Sequence, residues 1–289
     1  MKNVLITGAS SGFGYLTAIT LARRGFKVWA TMRNPDGKNK LKGDELKNIA
    51  NTENLHIRVA ELDVTKDFSV KELKRSIIGE DGQLDILINN AGIMLMGITE
   101  AYSLDQVKDQ FDTNFYGVIR TTKAFLPLLK ESKDGLIINI SSLAGRLIFP
   151  YMGFYCASKF ALEAYSETMR YELKPLGVDV SIIEPGPYPT GPVNRGPQEE
   201  DTEALETYGE MRQVPKKLLE GFEGFFKSSD APNPQEIPDA IYQLITMQHG
   251  TRPIRKVVGI DYGTDELNTK VGPIQEMHLR NNLQMGELI

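Results

Sequence analysis

Seven short stretches of the chain are dominated by Val, Ile and Leu: "NVLIT", "KVWATM", "LHIRVAELD", "LDILINN", "LIINISS", "VDVSIIEP" and "IRKVVGID". Several lack the apolar–polar alternation of a half-exposed strand, as expected of strands covered on both faces. Between them run segments with helical spacing of apolar positions, at Tyr15–Arg24, Phe68–Ile78, Gln106–Leu129 and Tyr155–Leu173. Strand and helix in alternation predict βαβ units and a parallel sheet flanked by helices. The rhythm breaks once, from Pro185 to Pro238, where Gly and Pro surround a helix-like patch, "TEALETYGEMRQVPKKLLEGF". This insertion, at about 186–236, is too long for a connector and is expected to be a lid or substrate-binding segment. No internal repeat or low-complexity tract interrupts the rest, so residues 1–289 are read as one domain carrying that insertion.

Composition narrows the class. A hydrophobic share of 41% supplies a core and excludes overall disorder. The net charge of -5 gives no footprint for nucleic acid, and no basic cluster suggests a lipid-binding patch. Cys156 is the single cysteine, so no intrachain disulfide or zinc–cysteine cluster can form. His56, His249 and His278 share no ligand spacing, and no metal is expected. The apolar strand begins almost at Met1, leaving no room for a signal peptide, and no uncharged apolar run approaches the length of a membrane span. A soluble cytoplasmic protein is the expectation.

The first strand runs into "TGASSGFG", Thr7 to Gly14, and a helical pattern follows at once. Glycine permits positive φ and lets backbone N–H groups approach a pyrophosphate at the helix N-terminus. The spacing Gly8-x3-Gly12-x-Gly14 departs from the commonest dinucleotide fingerprint, yet its place between an opening strand and a helix is the right context. Gly8, Ser10, Ser11, Gly12, Phe13 and Gly14 are the candidate contacts of this turn. The second strand should end near Met32, where a site for NAD commonly carries an acid. Here "ATMRNP" offers no carboxylate but Arg33, whose guanidinium can pair bidentately with a 2′-phosphate, with Ser11 adding a hydroxyl donor. The sign of the charge favours NADP(H). Asp63 and Val64 in "ELDVT" suit an adenine, and "NNAG" offers Asn90, Ala91 and Gly92 near a ribose; either alone is also an ordinary strand-to-helix turn.

"YCASK" sets Tyr155 and Lys159 four residues apart, on one face of a helix. A free phenol, with pKa near 10, is a sluggish base; a neighbouring ammonium favours phenolate and draws the pKa toward the working range. Ser142, closing the strand "LIINISS", can hold a carbonyl or alcohol oxygen. A tyrosine–lysine pair by itself is more readily a packed ring beside a solvated lysine; the surrounding motifs decide.

The glycine turn, "NNAG", Asn114, Ser142, Tyr155, Lys159 and "PGPYPT", in that order, resemble the short-chain dehydrogenase/reductase family, in the subgroup with the TGxxxGxG turn and YxxxK centre. The resemblance covers residues 3 to about 190, with weaker support near 254–260. It implies a Rossmann-type doubly wound α/β sheet of about seven parallel strands with helices on both faces and a helical substrate lid. By the same resemblance Tyr155 is the general acid/base and Ser142 polarises the reacting oxygen. Lys159 lowers the tyrosine pKa and binds the nicotinamide ribose, and Asn114 serves a water-linked proton relay. Pro185, Gly186 and Thr190 then lie near the nicotinamide. Ser141 falls one residue off the family spacing and is left out. A homodimer or homotetramer through the Gln106–Leu129 and Tyr155–Leu173 helices is also implied.

The activity expected is reversible hydride transfer between NADP(H) and a small-molecule carbonyl or secondary alcohol. "GRLIFPYMGF" and "GFEGFF" can line an apolar pocket with Tyr188 near its mouth, pointing to a lipophilic substrate, although the same aromatics can simply pack a lid against the sheet. The competing class is a non-catalytic NADP(H)-binding sensor or scaffold, which would not require the Asn114, Ser142, Tyr155 and Lys159 set. A sugar-nucleotide epimerase or dehydratase fits the glycine spacing less well.

Overall fold

A computed structural model of the protein describes residues 1–190 and 197–289. Seven strands form one sheet: β1 Asn3–Ile6, β2 Lys27–Met32, β3 Ile57–Glu61, β4 Ile86–Asn89, β5 Gly135–Ile140, β6 Val178–Pro185 and β7 Arg255–Val258. All neighbours are parallel, in the order β3-β2-β1-β4-β5-β6-β7. This is the doubly wound Rossmann-type sheet. Successive strand residues face opposite layers. Val4 and Ile6 pack with α1 (Gly12–Arg23), α2 (Lys40–Glu53) and α9 (Glu236–Thr246). Leu5 packs with α3 (Asp67–Glu80), α5 (Gly117–Glu131) and α6 (Gly153–Leu173). Both faces of the strands are therefore apolar, which removes the alternation from the sequence.

Strand order reverses between β1 and β4, opening a crevice at their carboxyl ends. Two features of the chain shape it. α1 begins at Gly12, three residues before the apolar periodicity predicts, so the glycine turn is already the first helical turn. The expected Gln106–Leu129 helix is three pieces: α4 (Leu104–Phe111), a π-turn at Asp112–Tyr116, and α5. The π-turn carries Asn114, whose amide is held by the backbone of Ile93 across the crevice.

Two helices gave no clear periodic signal. α2 buries only Gly43, Leu46 and Ala50, and α10 (Thr264–Met277) buries only Thr264, so neither carries a broad apolar stripe. In the expected insertion, α7 (Thr202–Thr207) and α8 (Val214–Phe226) are helical; its residues 191–196 lie outside the described residues. Among the described residues no helix is long and apolar enough to cross a membrane.

At the opposite, amino-terminal edge of the sheet, Arg252 is fully buried. Its guanidinium meets Asp179 Oδ2 at 2.9 Å and Asp134 Oδ1 at 2.7 Å, and its Nε donates to the Leu244 carbonyl at 2.9 Å. One cation thereby ties β6, the turn before β5 and the C-terminal end of α9 together. Removing it leaves Asp179 buried with less compensation. Arg252→Met should destabilise the fold by about 3–5 kcal/mol, read as a lower midpoint in urea unfolding, with the KM for nucleotide unchanged.

Candidate active site

A cavity of about 770 Å³ occupies the crevice. Its nucleotide-like end is built from the tips of β1, β2, β3 and β4. Gly8 has φ +71°, and a Cβ there would lie 2.8 Å from the Ala91 Cα, so the turn needs glycine on both counts. Thr7 Oγ1 accepts from the backbone N–H of Asn90 and of Ala91, each at 2.9 Å. The Asn90 side chain donates back to the carbonyls of Thr7 and Gly8 at 2.8 and 3.0 Å. Ser10, Ser11, Gly12 and Phe13 line the cavity beside this brace. Gly14 does not: it packs beneath, where a Cβ would meet Asn90 Nδ2 at 2.4 Å and the Gly8 carbonyl at 2.5 Å.

Arg33 follows the last residue of β2 and lines the cavity, as do Asp63 and Val64 after β3. Asp63 Oδ1 accepts from the Thr65 N–H at 3.0 Å and its hydroxyl at 2.8 Å, which fixes the carboxylate at the rim. A second cation, Lys38, lines the same end and was not picked out from the sequence. It sits in a tight turn, with the N–H groups of Gly37 and Asn39 both donating to the Asn34 carbonyl at 3.1 Å. Asn39 in turn donates to the Arg33 carbonyl at 2.6 Å. Among the described residues neither Arg33 nor Lys38 is in an ion pair. The legible signal was a lysine among the turn residues "NPDGKN" directly after a strand end.

Further along, the cavity is lined by Asn90, Ala91 and Gly92 after β4, Ser142 after β5, Tyr155 and Lys159 from α6, and Pro185, Gly186 and Thr190 from the end of β6 onward. A Cβ on Gly186 would lie 2.3 Å from the Ile260 carbonyl, so β6 and the β7 exit approach closely here. Tyr155 and Ser142 both line this end of the cavity, and the Ser142 hydroxyl draws the Tyr155 pKa down. Asn114 does not line the cavity. Its side chain donates to the Ile93 carbonyl at 2.8 Å and Ser158 Oγ at 3.1 Å, so both amide hydrogens are used in packing. Tyr188 lines the cavity as a buried side chain, edge-on to Phe13 at 5.4 Å, with its hydroxyl donating to Glu236 at 2.8 Å. Phe149, Met152, Phe222, Phe226 and Tyr262 give the cavity an apolar lining, with the Phe149 and Tyr262 rings 6.3 Å apart.

The family model for short chain dehydrogenases matches residues 2–201. The chain belongs to this family. The short-chain dehydrogenase is 36% identical to the 3-ketodihydrosphingosine reductase of Bacteroides thetaiotaomicron over 256 residues, 89% of this chain and 87% of that one. A short-chain dehydrogenase from Streptomyces avermitilis has a solved structure that superposes with a TM-score of 0.76 at 28% identity, covering 99% of this chain and 98% of the other. An alcohol dehydrogenase from Thermococcus sibiricus, solved in complex with 5-hydroxy-NADP, gives 0.71 at 25% identity, covering 89% and 96%.

Electrostatics at the tyrosine of this short-chain dehydrogenase depart from the simple two-residue expectation. Burial pushes the Tyr155 phenol up to about 12, with the Ser142 hydrogen bond pulling the other way. Lys159 makes no resolved contribution, although its Nζ lies 5.8 Å from the ring centroid. The ammonium is instead engaged by the Ile140 carbonyl at 2.8 Å, and burial lowers its own pKa to about 8 against the opposing charge of Glu163. Desolvation outweighs the pairwise attraction at both groups. The phenol is thus a proton donor in this state, and Lys159 is the group that titrates near working pH.

The glycine packing carries its own test. Gly14→Ala pushes a methyl into the Asn90–Gly8 brace, an overpacking cost of about 1–3 kcal/mol. Thermal unfolding should show the loss, and fluorescence titration should show weakened nucleotide binding.

Proposed function

We propose that this short-chain dehydrogenase is an NADP(H)-dependent oxidoreductase interconverting a carbonyl and a secondary alcohol on a lipophilic small molecule. The observation that carries the reading is the convergence of Tyr155, Ser142 and Lys159 on one cavity that also holds two uncommitted cations, Arg33 and Lys38. The residues present fit the cofactor. The positive-φ Gly8 turn and the N-terminus of α1 suit a pyrophosphate, and the two cations suit a 2′-phosphate better than a bare ribose hydroxyl. The cofactor in the Thermococcus sibiricus relative's complex is of the phosphorylated kind, which agrees.

When bound, the nicotinamide supplies or accepts the hydride. The chain's own residues handle the proton and the oxygen. In reduction the Tyr155 hydroxyl gives its proton to the carbonyl oxygen as the new C–H bond forms; in oxidation the phenolate takes the alcohol proton. Ser142 donates a hydrogen bond to the same oxygen and holds it against Tyr155. The Lys159 ammonium, engaged by the Ile140 carbonyl, would bind the nicotinamide ribose hydroxyls and so hold the cofactor beside Tyr155. Asn114 fixes the Ile93 backbone and Ser158 on α6, which keeps the loop after β4 and the tyrosine helix in register.

The substrate reading rests on the apolar lining of Phe149, Met152, Phe222, Phe226 and Tyr262, none of which carries a charge. Two of these come from α8, and we read the 186–236 segment of this single domain as a substrate lid. A relative named for a sphingoid ketone, 3-ketodihydrosphingosine, supports the same chemistry.

Two substitutions test the assignment. Tyr155→Phe should keep NADPH binding, followed by fluorescence, while turnover of a lipophilic ketone falls by about 100- to 10,000-fold. Retention of near wild-type turnover would remove Tyr155 from the chemistry. Arg33→Met should raise the KM for NADPH by about tenfold and leave that for NADH nearly unchanged, with Lys38→Met acting in the same direction more weakly. An unaltered NADPH to NADH ratio in both would mean that neither cation reads a phosphate.

A further inference from the structure

Behind the tyrosine helix lies a buried charge cluster that the chemistry above does not use. Arg255 on β7 meets three carboxylates: Glu163 Oε2 at 2.9 Å, Glu167 Oε2 at 2.6 Å and Glu184 Oε1 at 3.5 Å. Glu163 is 2% exposed and Glu184 is fully buried. The other oxygen of Glu184 accepts from Asn268 of α10 at 2.6 Å, and Asn268 accepts from Arg146 at 2.8 Å. Three carboxylates thus share two guanidinium groups, Arg255 in direct contact and Arg146 at longer range, joined to Glu184 through Asn268. Full ionisation is balanced only when the Lys159 ammonium is counted with the two guanidinium groups, so loss of that proton would leave one negative charge uncompensated away from water, which is costly.

The cluster touches the active site at Gly145. A Cβ there would sit 2.7 Å from Ser141 Oγ, 2.8 Å from Glu163 Cγ and 3.2 Å from the Lys159 carbonyl. Ser141 lines the cavity, and its buried hydroxyl lies beside the Glu163 carboxyl without closing a well-shaped hydrogen bond. Oε1 of Glu163 and of Glu184 are likewise buried without a hydrogen-bond partner among the described residues. Glu163 follows Lys159 by four residues on α6, which puts the two side chains on one helix face.

We propose that Glu163 and Glu184 form a buried pair sharing one proton, and that Glu163 is a positioning residue whose negative charge keeps the Lys159 ammonium protonated. The inference rests on the reading of Lys159 given above. The groups facing Glu163 are Lys159 and Glu167 on its own helix, Arg255 from β7, Glu184 from β6, and Ser141 and Arg146 from the β5 exit. Burial, then the charge of Glu163, push the Glu184 carboxyl up to about 8, and burial raises Glu163 as well. The pair therefore loses its shared proton in the range where Lys159 loses its own, and the two events are linked. Each further negative charge on Glu163 makes the ammonium harder to deprotonate.

The signs of two substitutions are opposite. Glu163→Gln removes the charge that supports Lys159, so the alkaline limb of kcat/KM for ketone reduction, expected near pH 8 in the wild type, should move down by about one pH unit. Glu184→Gln leaves Glu163 without a competitor for the negative charge, so the limb should move up by a comparable amount. A structural disturbance gives no reason for opposite displacements. Limbs that stay in place in both variants, or move the same way, would overturn the coupling. If Glu163→Gln does not fold, Glu184→Gln decides alone: an upward shift supports the pair and an unmoved limb overturns it. Lys159→Arg, assayed on its residual turnover, should abolish the limb. A limb that persists there would count against Lys159 itself, a failure distinct from that of Glu163.

Discussion

The hydrogen bonds that cross from the tip of β1 to the tip of β4 organise everything above them. Thr7 receives two backbone N–H groups from Asn90 and Ala91, and the Asn90 amide answers with two bonds to Thr7 and Gly8. This brace sits where strand order reverses, the one place where neighbouring loops diverge to opposite faces and leave a crevice. It brings Gly8 against Ala91 and Gly14 against Asn90 so closely that neither position can carry a side chain. The start of α1 is thereby aimed into the cavity. The candidate cofactor contacts follow from that placement.

Tyr155 and Lys159 depend on a second constraint, the burial of α6 against β5 and β6. α6 buries Cys156, Ser158, Lys159, Leu162, Glu163, Ser166 and Leu173, an unusually polar set for a core-facing stripe. Each polar member has a stated partner: Ser158 with Asn114, Lys159 with Ile140, Glu163 with Arg255, Ser166 with Asn139. Burying charge in this way is tolerated only when it is paired, and it moves the protonation equilibria of every member. Binding and proton handling are thus separate devices, one at the β1–β4 reversal and the other on α6, joined by the floor of one cavity.

Most of the strands were legible because their apolar runs are intrinsic to a sheet covered on both sides. The positions of Gly8, Ser142, Tyr155 and Lys159 at the cavity were legible for a similar reason: their order and spacing are properties of the chain. α2 and α10 were not, because a helix that buries three residues or one leaves no periodic stripe to read. The π-turn at Asn114 escaped for another reason. Its cause is a reach across the crevice to Ile93, twenty-one residues back, which local periodicity cannot register. Lys38 was overlooked because a lysine in a turn is ordinary until the turn folds back beside Arg33.

By itself the sequence determined the strand–helix alternation, the glycine turn and the one-turn separation of phenol and ammonium, since each is set by covalent spacing along the backbone. Only the tertiary structure decided what those groups are worth. The direction of the Tyr155 and Lys159 shifts, the diversion of the ammonium to a carbonyl, and the crowding of three carboxylates around Arg255 all come from desolvation and from charges on distant segments. Those quantities depend on packing in three dimensions, which residue spacing does not encode.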